Sequence, residues 1–443
     1  MSSRGVLALS WLCLAGVLAG CSGGRLLSRL TIAPSPHEQY ASSLRAAALA
    51  DTALARDWLR TADEALQRPL TIALPLRESG YFPADPPTAT AYQVELTRGR
   101  RLSVEITFDS VEITRLFVDL FELRGGGEPP ERVASAPDGR SLTYDVPRDG
   151  TYVLRVQPEL LRSGRYTIVQ RTLASLLFPV SGLTAGAVQS EFGAARDAGR
   201  REHEGIDIFA PRNTPVIAVV QGTAQPGVNG LGGNVVWLRG RGARRSFYYA
   251  HLTRAAFETT TTVAAGEVVG YVGNTGNARS TAPHLHFGIY DGGAIDPLPF
   301  LRADDPVPAA PPGAGDWLSE MVRVTAARTP LRAGTSRAAP AETQLERASL
   351  ARVAGVAGSQ LRVVLPDRST GYLDRTAVAV AATALRRQRL APGASLREQP
   401  FADAPAIRTI EEATTADVIG AFNGFEFVRT SSGPPGWIAT TPQ

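Results

Sequence analysis

The longest stretch of alternating apolar and polar residues runs from about residue 68 to residue 172. Within it, runs such as 92–96 (YQVEL) and 102–106 (LSVEI) place an apolar residue at every second position. Alternation of this kind is typical of strands that bury one face and expose the other. Glycine-containing turns separate the runs, and further strand candidates are 116–123, 142–146, 152–156 and 166–169. We therefore predict a β-sandwich over residues 68–172.

The N-terminus has a different apolar pattern. A largely apolar run from Gly5 to Ala19 follows Arg4 and ends close to Cys21. At about 15 residues it is short for a membrane-spanning helix, which needs about 20. Together with its charged start, this length predicts a secretory signal peptide.

The end of this run, residues 17–21 (VLAGC), resembles the lipobox of bacterial lipoproteins. The resemblance implies that residues 1–21 are a lipoprotein signal peptide and that Cys21 is acylated and anchors the mature chain to a lipid bilayer. Two or more acyl chains anchor stably where one binds only marginally. By the same resemblance, Ser22 favours the outer membrane, facing the periplasm, in a Gram-negative cell envelope. The alternative is an ordinary cleaved signal peptide with an incidental cysteine.

Several further segments differ in composition. The sequence of residues 22–67 predicts a tether followed by short helices. The Pro/Ala-rich composition of residues 303–318 predicts a linker. The chain then repeats a weak pattern over residues 319–381 and 382–443. Each copy contains a Leu-Arg pair followed later by a Gly-aromatic-aliphatic triplet, at 331–332 and 371–373 in the first copy and at 396–397 and 436–438 in the second.

These accessory regions resemble known modules. The two C-terminal copies resemble bacterial SH3-like barrels, which implies binding to cell-wall peptide or glycan, with the alternative that Tyr372 and Trp437 are core aromatics. Residues 68–172 resemble the pre-peptidase C-terminal-like jelly-roll modules of secreted bacterial enzymes. That resemblance implies an accessory or binding role, and a simple spacer is the alternative. It rests on 117–121 (FVDLF), 149–152 (DGTY) and 163–167 (SGRYT).

The composition of the chain excludes several classes of protein. The chain has 443 residues, which suggests roughly three domains at about 150 residues each. Its formal net charge of +4 and the absence of a basic run give no indication of nucleic-acid binding. Two cysteines exclude a disulfide scaffold or a Cys-rich zinc module. With five histidines in the chain, each can be considered individually, and His37, in the predicted tether, receives no role.

Four histidines fall in three short segments between residues 201 and 287. His203 and Asp207 are four residues apart, and the sequence around them favours a strand or loop, with Gly205 leaving space for an ion. His284 and His286 would share one face of a strand while Leu285 and Phe287 face a core. Taken alone, a pair of this kind is more often an incidental surface feature than a metal site. Together, two imidazoles and a carboxylate form an open catalytic zinc set.

The segments "HEGID", "YAHL" and "APHLHF" resemble the LytM/lysostaphin-type family of peptidoglycan metallo-endopeptidases. The resemblance implies that His203, Asp207 and His286 bind Zn²⁺ and that His251 and His284 form the catalytic pair. Tyr249 lies two residues before His251 and is therefore expected on the same face of a strand. It is a candidate substrate contact, although a structural role is the better expectation. The chain departs from the family pattern at Gly288, where an acidic residue is usual, and in a longer stretch over residues 278–282.

The expected architecture is mainly β and multidomain. It comprises a lysostaphin-like β-sandwich peptidase domain at 173–302, the jelly-roll-like sandwich before it and two small SH3-like barrels after it. The leading hypothesis is an envelope-anchored zinc endopeptidase that cuts peptide cross-links of peptidoglycan. Zinc-bound water would attack the amide, with His284 near the water and His251 near the oxyanion, although the sequence does not order these roles. The alternatives are a catalytically silent, wall-binding regulator of another hydrolase and an anchored protease acting on proteins.

Overall fold

The computed structural model describes residues 33–109, 114–196, 199–242 and 244–440. The predicted signal peptide and Cys21 lie outside the described residues. Among the helices of the described ranges, none is long and apolar enough to cross a membrane. Strand is the most abundant secondary structure in the described ranges, which confirms the predicted mainly β fold class.

Two helices precede the first sheet, α1 (Pro36–Ala46) and α2 (Ala53–Gln67). The Ser35 hydroxyl accepts from the Glu38 N–H while the Glu38 carboxylate accepts from the Ser35 N–H, a reciprocal cap that starts α1. His37 is buried and stacks on Trp58 at a ring-centroid distance of 4.6 Å. The Trp58 indole N–H donates to the Pro158 carbonyl, so the helices pack against the following sandwich.

The region predicted as a sandwich contains nine strands in two sheets. The order of the first sheet is β1-β3-β8-β5-β6, and β2, β9, β4 and β7 lie in the second. Every candidate strand of the alternating sequence lies in or overlaps one of these strands. They are β1 (Leu70–Thr71), β2 (Leu76–Phe82), β3 (Thr90–Leu96), β4 (Arg100–Asp109), β5 (Leu116–Leu123), β6 (Glu131–Ser135), β7 (Ser141–Asp145), β8 (Gly150–Pro158) and β9 (Gly164–Ala174).

The central region carries an eight-stranded antiparallel sheet with the path β10-β13-β21-β17-β16-β15-β19, to which β22 is added beside β21. A hairpin, β11-β12, and a three-stranded sheet, β14-β20-β18, complete it. The elements are β10 (Val188–Ser190), β11 (Ala195–Arg196), β12 (Arg201–Glu202), β13 (Ile206–Phe209), β14 (Pro215–Ile217), β15 (Gly222–Asn229), β16 (Gly233–Gly240), β17 (Ser246–Leu252), β18 (Arg254–Ala255), β19 (Thr261–Val263), β20 (Val268–Tyr271), β21 (His284–Tyr290), β22 (Ala294–Ile295) and α3 (Leu298–Leu301).

The C-terminal region repeats one pairing. Arg332 lies opposite Tyr372 in the first copy, and Arg397 lies opposite Trp437 in the second. The elements are α4 (Ala314–Trp317), β23 (Met321–Val324), β24 (Arg328–Arg332), β25 (Ala341–Glu346), β26 (Leu350–Ala357), β27 (Gln360–Val364), β28 (Thr370–Asp374), β29 (Val378–Val380), β30 (Arg386–Leu390), β31 (Ser395–Arg397), β32 (Ala406–Thr409), β33 (Thr414–Phe422), β34 (Phe425–Thr430) and β35 (Gly436–Ala439).

The two aromatic residues of the repeat are core residues. Tyr372 is 0% exposed and Trp437 is 5% exposed. A buried ring has no free face for a glycan, so the structure supports the alternative in which both are core aromatics. The SH3-like assignment of the two copies stays a prediction, as do the domain boundaries.

One sheet joins the first of these copies to the sandwich. Strand β26 pairs with β2 at Ser79↔Val356, so β23–β29 and the second sheet of the sandwich form a continuous eleven-stranded sheet. A buried carboxylate crosses this junction. Glu78 Oε1 accepts from Arg362 Nε at 3.0 Å and Oε2 accepts from the Tyr372 hydroxyl at 2.7 Å. The two regions, which are far apart in sequence, therefore form one packed unit.

Candidate metal centre

Strands β13 and β21 are antiparallel neighbours, and their register places Asp207 directly opposite His286. Along β21, Leu285 and Phe287 are fully buried in the core, so His284 and His286 face the other side of the sheet. This confirms the strand predicted for the His-x-His segment. His203 precedes β13, and its backbone N–H donates to the Ala194 carbonyl, which holds it beside the β11-β12 hairpin.

Three potential metal-ligand atoms converge on this face. His203 Nε2 lies 3.0 Å from Asp207 Oδ1 and 2.9 Å from His286 Nδ1, and His286 Nδ1 lies 3.0 Å from Asp207 Oδ1. The atoms form a nearly equilateral triangle, so one ion can lie about 2 Å from all three, the usual zinc–ligand distance. The structure thus brings together the three residues predicted as ligands.

The protonation states of the three side chains favour binding of a cation. The Nδ1–H of His203 donates to the Glu191 carbonyl at 2.8 Å, which leaves Nε2 with a lone pair. Although burial opposes ionisation, the contacts with the imidazoles of His203 and His286 hold the pKa of the Asp207 carboxyl below its usual range, so this carboxylate is charged. A charged carboxylate and imidazole nitrogens directed at one point suit Zn²⁺.

Arg196 is a residue of this centre that sequence reasoning missed. Its guanidinium donates to Asp207 Oδ2 at 2.7 Å and to the Ser190 hydroxyl at 2.7 Å. The contact leaves Oδ1 facing the histidines. No sequence signal identified Arg196, because it lies in a short hairpin strand outside the motif and reaches Asp207 only through the fold.

Gly205 has a different role from the one expected. A Cβ at this position would lie 2.6 Å from the Phe287 carbonyl oxygen and 2.8 Å from His286 Cε1. The glycine therefore leaves space for the His286 ring and the neighbouring strand, rather than for the ion itself.

His251 and His284 lie next to the triangle. His284 Nε2 is 4.0 Å from Asp207 Oδ1, and the His251 and His284 ring centroids are 5.0 Å apart. His251 Nδ1 lies 2.9 Å from the Thr275 carbonyl and His284 Nδ1 lies 2.9 Å from the Ala282 carbonyl. Because a carbonyl only accepts, each Nδ1 carries the proton and each Nε2 of a neutral ring is a proton acceptor. Burial and the neighbouring His284 lower the pKa of His251 to about 4.

The position of Tyr249 corrects the expectation that it shares a face with His251. Between Val236↔Tyr249 and Asn234↔Leu252, strand β17 has one residue more than β16, and His251 adopts a left-handed conformation with φ of +62°. This bulge interrupts the alternation of side chains. Tyr249 is 0% exposed and its hydroxyl accepts from the Val219 N–H at 3.0 Å, so it packs as a core residue, which supports the structural role expected for it, while its contact with substrate stays a prediction.

Tyr248, rather than Tyr249, faces the metal centre. Its ring meets the His286 ring edge-on at a centroid distance of 6.0 Å. Strict alternation counted back from His251 would place it on the core side, which is why sequence reasoning passed over it.

A family model described as Peptidase family M23 matches residues 201–297. The chain contains an M23 peptidase domain. All five proposed zinc and catalytic residues lie inside the matched range of this M23 domain, whereas Arg196 lies just before it.

Relatives of the M23 domain carry named activities. The L-Ala--D-Glu endopeptidase of Bacillus subtilis is 39% identical in an alignment 142 residues long that covers 28% of this chain and 43% of that protein. The glycyl-glycine endopeptidase ALE-1 of Staphylococcus capitis is 36% identical, over 23% of this chain and 29% of its own. The DD-carboxypeptidase/endopeptidase Mpg of Neisseria meningitidis is 44% identical, over 20% of each chain. The matches thus span less than half the length of these curated relatives.

A solved structure also resembles the M23 domain. The catalytic domain of the antimicrobial peptidase lysostaphin from Staphylococcus simulans is 32% identical, with 26% of this chain and 90% of that chain covered and a TM-score of 0.24.

Proposed function

We propose that the protein is a zinc metallo-endopeptidase that hydrolyses peptide cross-links of peptidoglycan. The observation that carries this proposal is the convergence of His203 Nε2, Asp207 Oδ1 and His286 Nδ1 on one point, with two further imidazoles beside it. Zinc bound there would lower the pKa of a water molecule towards about 7 and polarise the scissile carbonyl.

The remaining chemistry belongs to the chain's own side chains. His284 and His251 each offer an unprotonated Nε2 that can take the proton of the attacking water. The imidazolium formed can then donate that proton to the departing amine, so the proton is conserved through the cycle. A ring that holds a proton on Nε2 also becomes a donor to the developing oxyanion. The carbonyls of Ala282 and Thr275 keep both rings in the required tautomer.

The names of the relatives support the substrate class. L-Ala--D-Glu and glycyl-glycine bonds are amide bonds within peptides, and both named enzymes are endopeptidases. A D-amino acid in such a bond is typical of cell-wall peptides rather than of proteins. On that basis we propose peptidoglycan as the substrate of this chain, without assigning which bond is cut.

We further propose that the enzyme is held at the bacterial cell envelope through acylated Cys21. The support is the lipobox-like sequence at 17–21. Replacement of Cys21 by alanine should move the protein from the membrane fraction to the soluble fraction. A soluble wild-type protein, or a Cys21→Ala variant still in the membrane fraction, would contradict the anchor.

The activity is tested with the zinc-loaded full chain and purified peptidoglycan. We expect about one Zn²⁺ per chain and release of muropeptides whose masses show a cut cross-link, both lost in His203→Ala. Intact peptidoglycan, together with wild-type function of His203→Ala in cells, would instead indicate a silent regulator. Cleavage of casein or elastin in preference to peptidoglycan would indicate a protease acting on proteins.

A further inference from the structure

The outer face of the main sheet carries one exposed and two half-buried aromatic side chains beside the candidate zinc ligands. Trp237 on β16 lies opposite Tyr248 on β17, with ring centroids 4.5 Å apart, and Tyr290 on β21 lies 5.3 Å from Trp237. Trp237 is 39% exposed. Since the Tyr248 ring also meets the ring of His286, this aromatic platform (Trp237, Tyr248 and Tyr290) is continuous with the metal centre.

A glycine allows the platform to pack closely against the chain beside it. Gly288 lies opposite Tyr248 and between His286 and Tyr290 along β21. A Cβ there would be 3.0 Å from Tyr290 Cε2, 3.1 Å from the Glu204 carbonyl oxygen and 3.6 Å from Tyr248 Cβ. Any larger side chain at position 288 would therefore displace the Tyr290 ring or the Glu204 backbone and disturb the platform.

Polar groups border the platform. The Tyr290 hydroxyl donates to the Glu204 carboxylate at 3.4 Å, and the Tyr248 hydroxyl accepts from the Asn229 amide at 3.0 Å. Glu204 and Asn229 are both exposed, so each can also reach a ligand. The carboxylate places negative charge at this edge, and that charge repels an anionic group.

We propose that the aromatic platform binds an uncharged sugar ring of the glycan strand, next to the peptide cut at the metal centre. The electron-rich aromatic faces attract the C–H groups on one side of such a ring, and Glu204 and Asn229 can bond to its hydroxyl groups. The acidic residues of a cell-wall peptide would instead be repelled by Glu204. This inference rests on the proposed function and specifies part of its substrate.

The test compares two substrates that share the same cross-linked peptide, one with its sugars attached and one with them removed. With the zinc-loaded full chain, Trp237→Ala should lower the ratio of kcat/KM for the sugar-bearing substrate to kcat/KM for the sugar-free one by about tenfold. Trp237→Phe should restore most of the ratio, because it retains a ring. Gly288→Gln, whose side chain would displace the Tyr290 ring of the platform, should lower it as well.

Val228→Ala is the matched control. Val228 is exposed on the same β15-β16 hairpin but lies opposite Asn234, on the other side of the sheet from Trp237. It should leave the ratio unchanged. Melting temperature measured for each variant separates loss of the platform from loss of the fold.

A binding measurement separates failure of this inference from failure of the proposed function. Calorimetric titration with peptide-free glycan chains requires no cleavage, and Trp237→Ala should weaken Kd about tenfold. An unchanged Kd and an unchanged ratio would overturn the sugar site, even if wild type cuts cross-links. Equal losses on both substrates, or a selective loss on apolar protein substrates, would also overturn it.

Discussion

The guanidinium of Arg196 donates a hydrogen bond of 2.7 Å to Asp207 Oδ2, and the other oxygen of the same carboxylate lies 3.0 Å from both His203 and His286. Removal of such an outer contact commonly costs about 10–100-fold in metal affinity. We expect Arg196→Ala to weaken zinc binding by this factor, measured by competition with a chelator of known affinity. Arg241→Ala, at an exposed arginine of the same region, should not change it.

His251 and His284 should be separable from the metal ligands. Because neither ring belongs to the three-atom triangle, His251→Ala and His284→Ala should keep about one zinc per chain. Both should lose about 10²–10⁴-fold in kcat. Metal analysis alongside kinetics distinguishes them from His203→Ala, which should lose zinc as well. Loss of zinc from either variant would show that the ring belongs to the ligand set.

Tyr249→Phe tests the core assignment of that residue. The substitution removes the hydroxyl that accepts from the buried Val219 N–H. An unsatisfied buried donor costs about 1–3 kcal/mol, so the free energy of unfolding should fall by that amount in urea titration. The kcat/KM of the folded variant should stay close to that of wild type. A large fall in kcat/KM without loss of stability would mean that Tyr249 contacts substrate after all.

The buried pair of Glu78 and Arg362 should stabilise the joint between the sandwich and the first C-terminal copy. Both side chains are almost fully buried. Glu78→Ala leaves an unpaired buried guanidinium and should cost about 3–5 kcal/mol of stability, whereas replacing both residues by apolar ones of similar size should cost much less. Chemical unfolding of the two variants checks this. Equal losses in the two variants would argue against an unpaired charge as the cause.

His37 should make stability depend on pH. Burial, together with the positive charge of Arg155, lowers its pKa from 6.5 to about 4. The unfolded chain therefore binds a proton that the folded chain does not. The stabilisation is complete above pH 6.5 and is lost as the pH falls towards 4, by at most about 3 kcal/mol.

Urea unfolding at pH 7.5 and pH 5 can be followed by tryptophan fluorescence. Trp58, which stacks on His37, contributes to this signal. His37→Phe keeps an aromatic ring and should reduce the difference between the two pH values. Because the two proteins differ only at position 37, the comparison isolates His37. An identical pH dependence in both would contradict the prediction.

Local periodicity was enough to predict much of the site. The spacing of His284 and His286 predicted that they share one face of a strand, and Leu285 and Phe287 are indeed in the core. The alternating runs before residue 172 likewise form strands, because side chains of a strand alternate whatever the strand pairs with.

Features that depend on pairing could not be predicted in the same way. Tyr249 and Tyr248 exchange the expected faces because β17 bulges before His251, and a bulge arises from the partner strand rather than from the residues of one strand. The contact of Arg196 with Asp207 depends on how a short hairpin folds back. The sheet that joins β2 to β26 links residues more than 250 positions apart.

The sequence by itself therefore determined the strands, the faces on which regular alternation holds and the set of side chains able to bind a metal. Only the tertiary structure decided the hydrogen bonds of Asp207 and the histidines, the aromatic platform beside His286 and the fusion of two regions into one sheet. The reason is physical. A strand's periodicity is set by its own backbone, whereas distances of about 3 Å between side chains from different strands depend on register, bulges and packing across the whole fold.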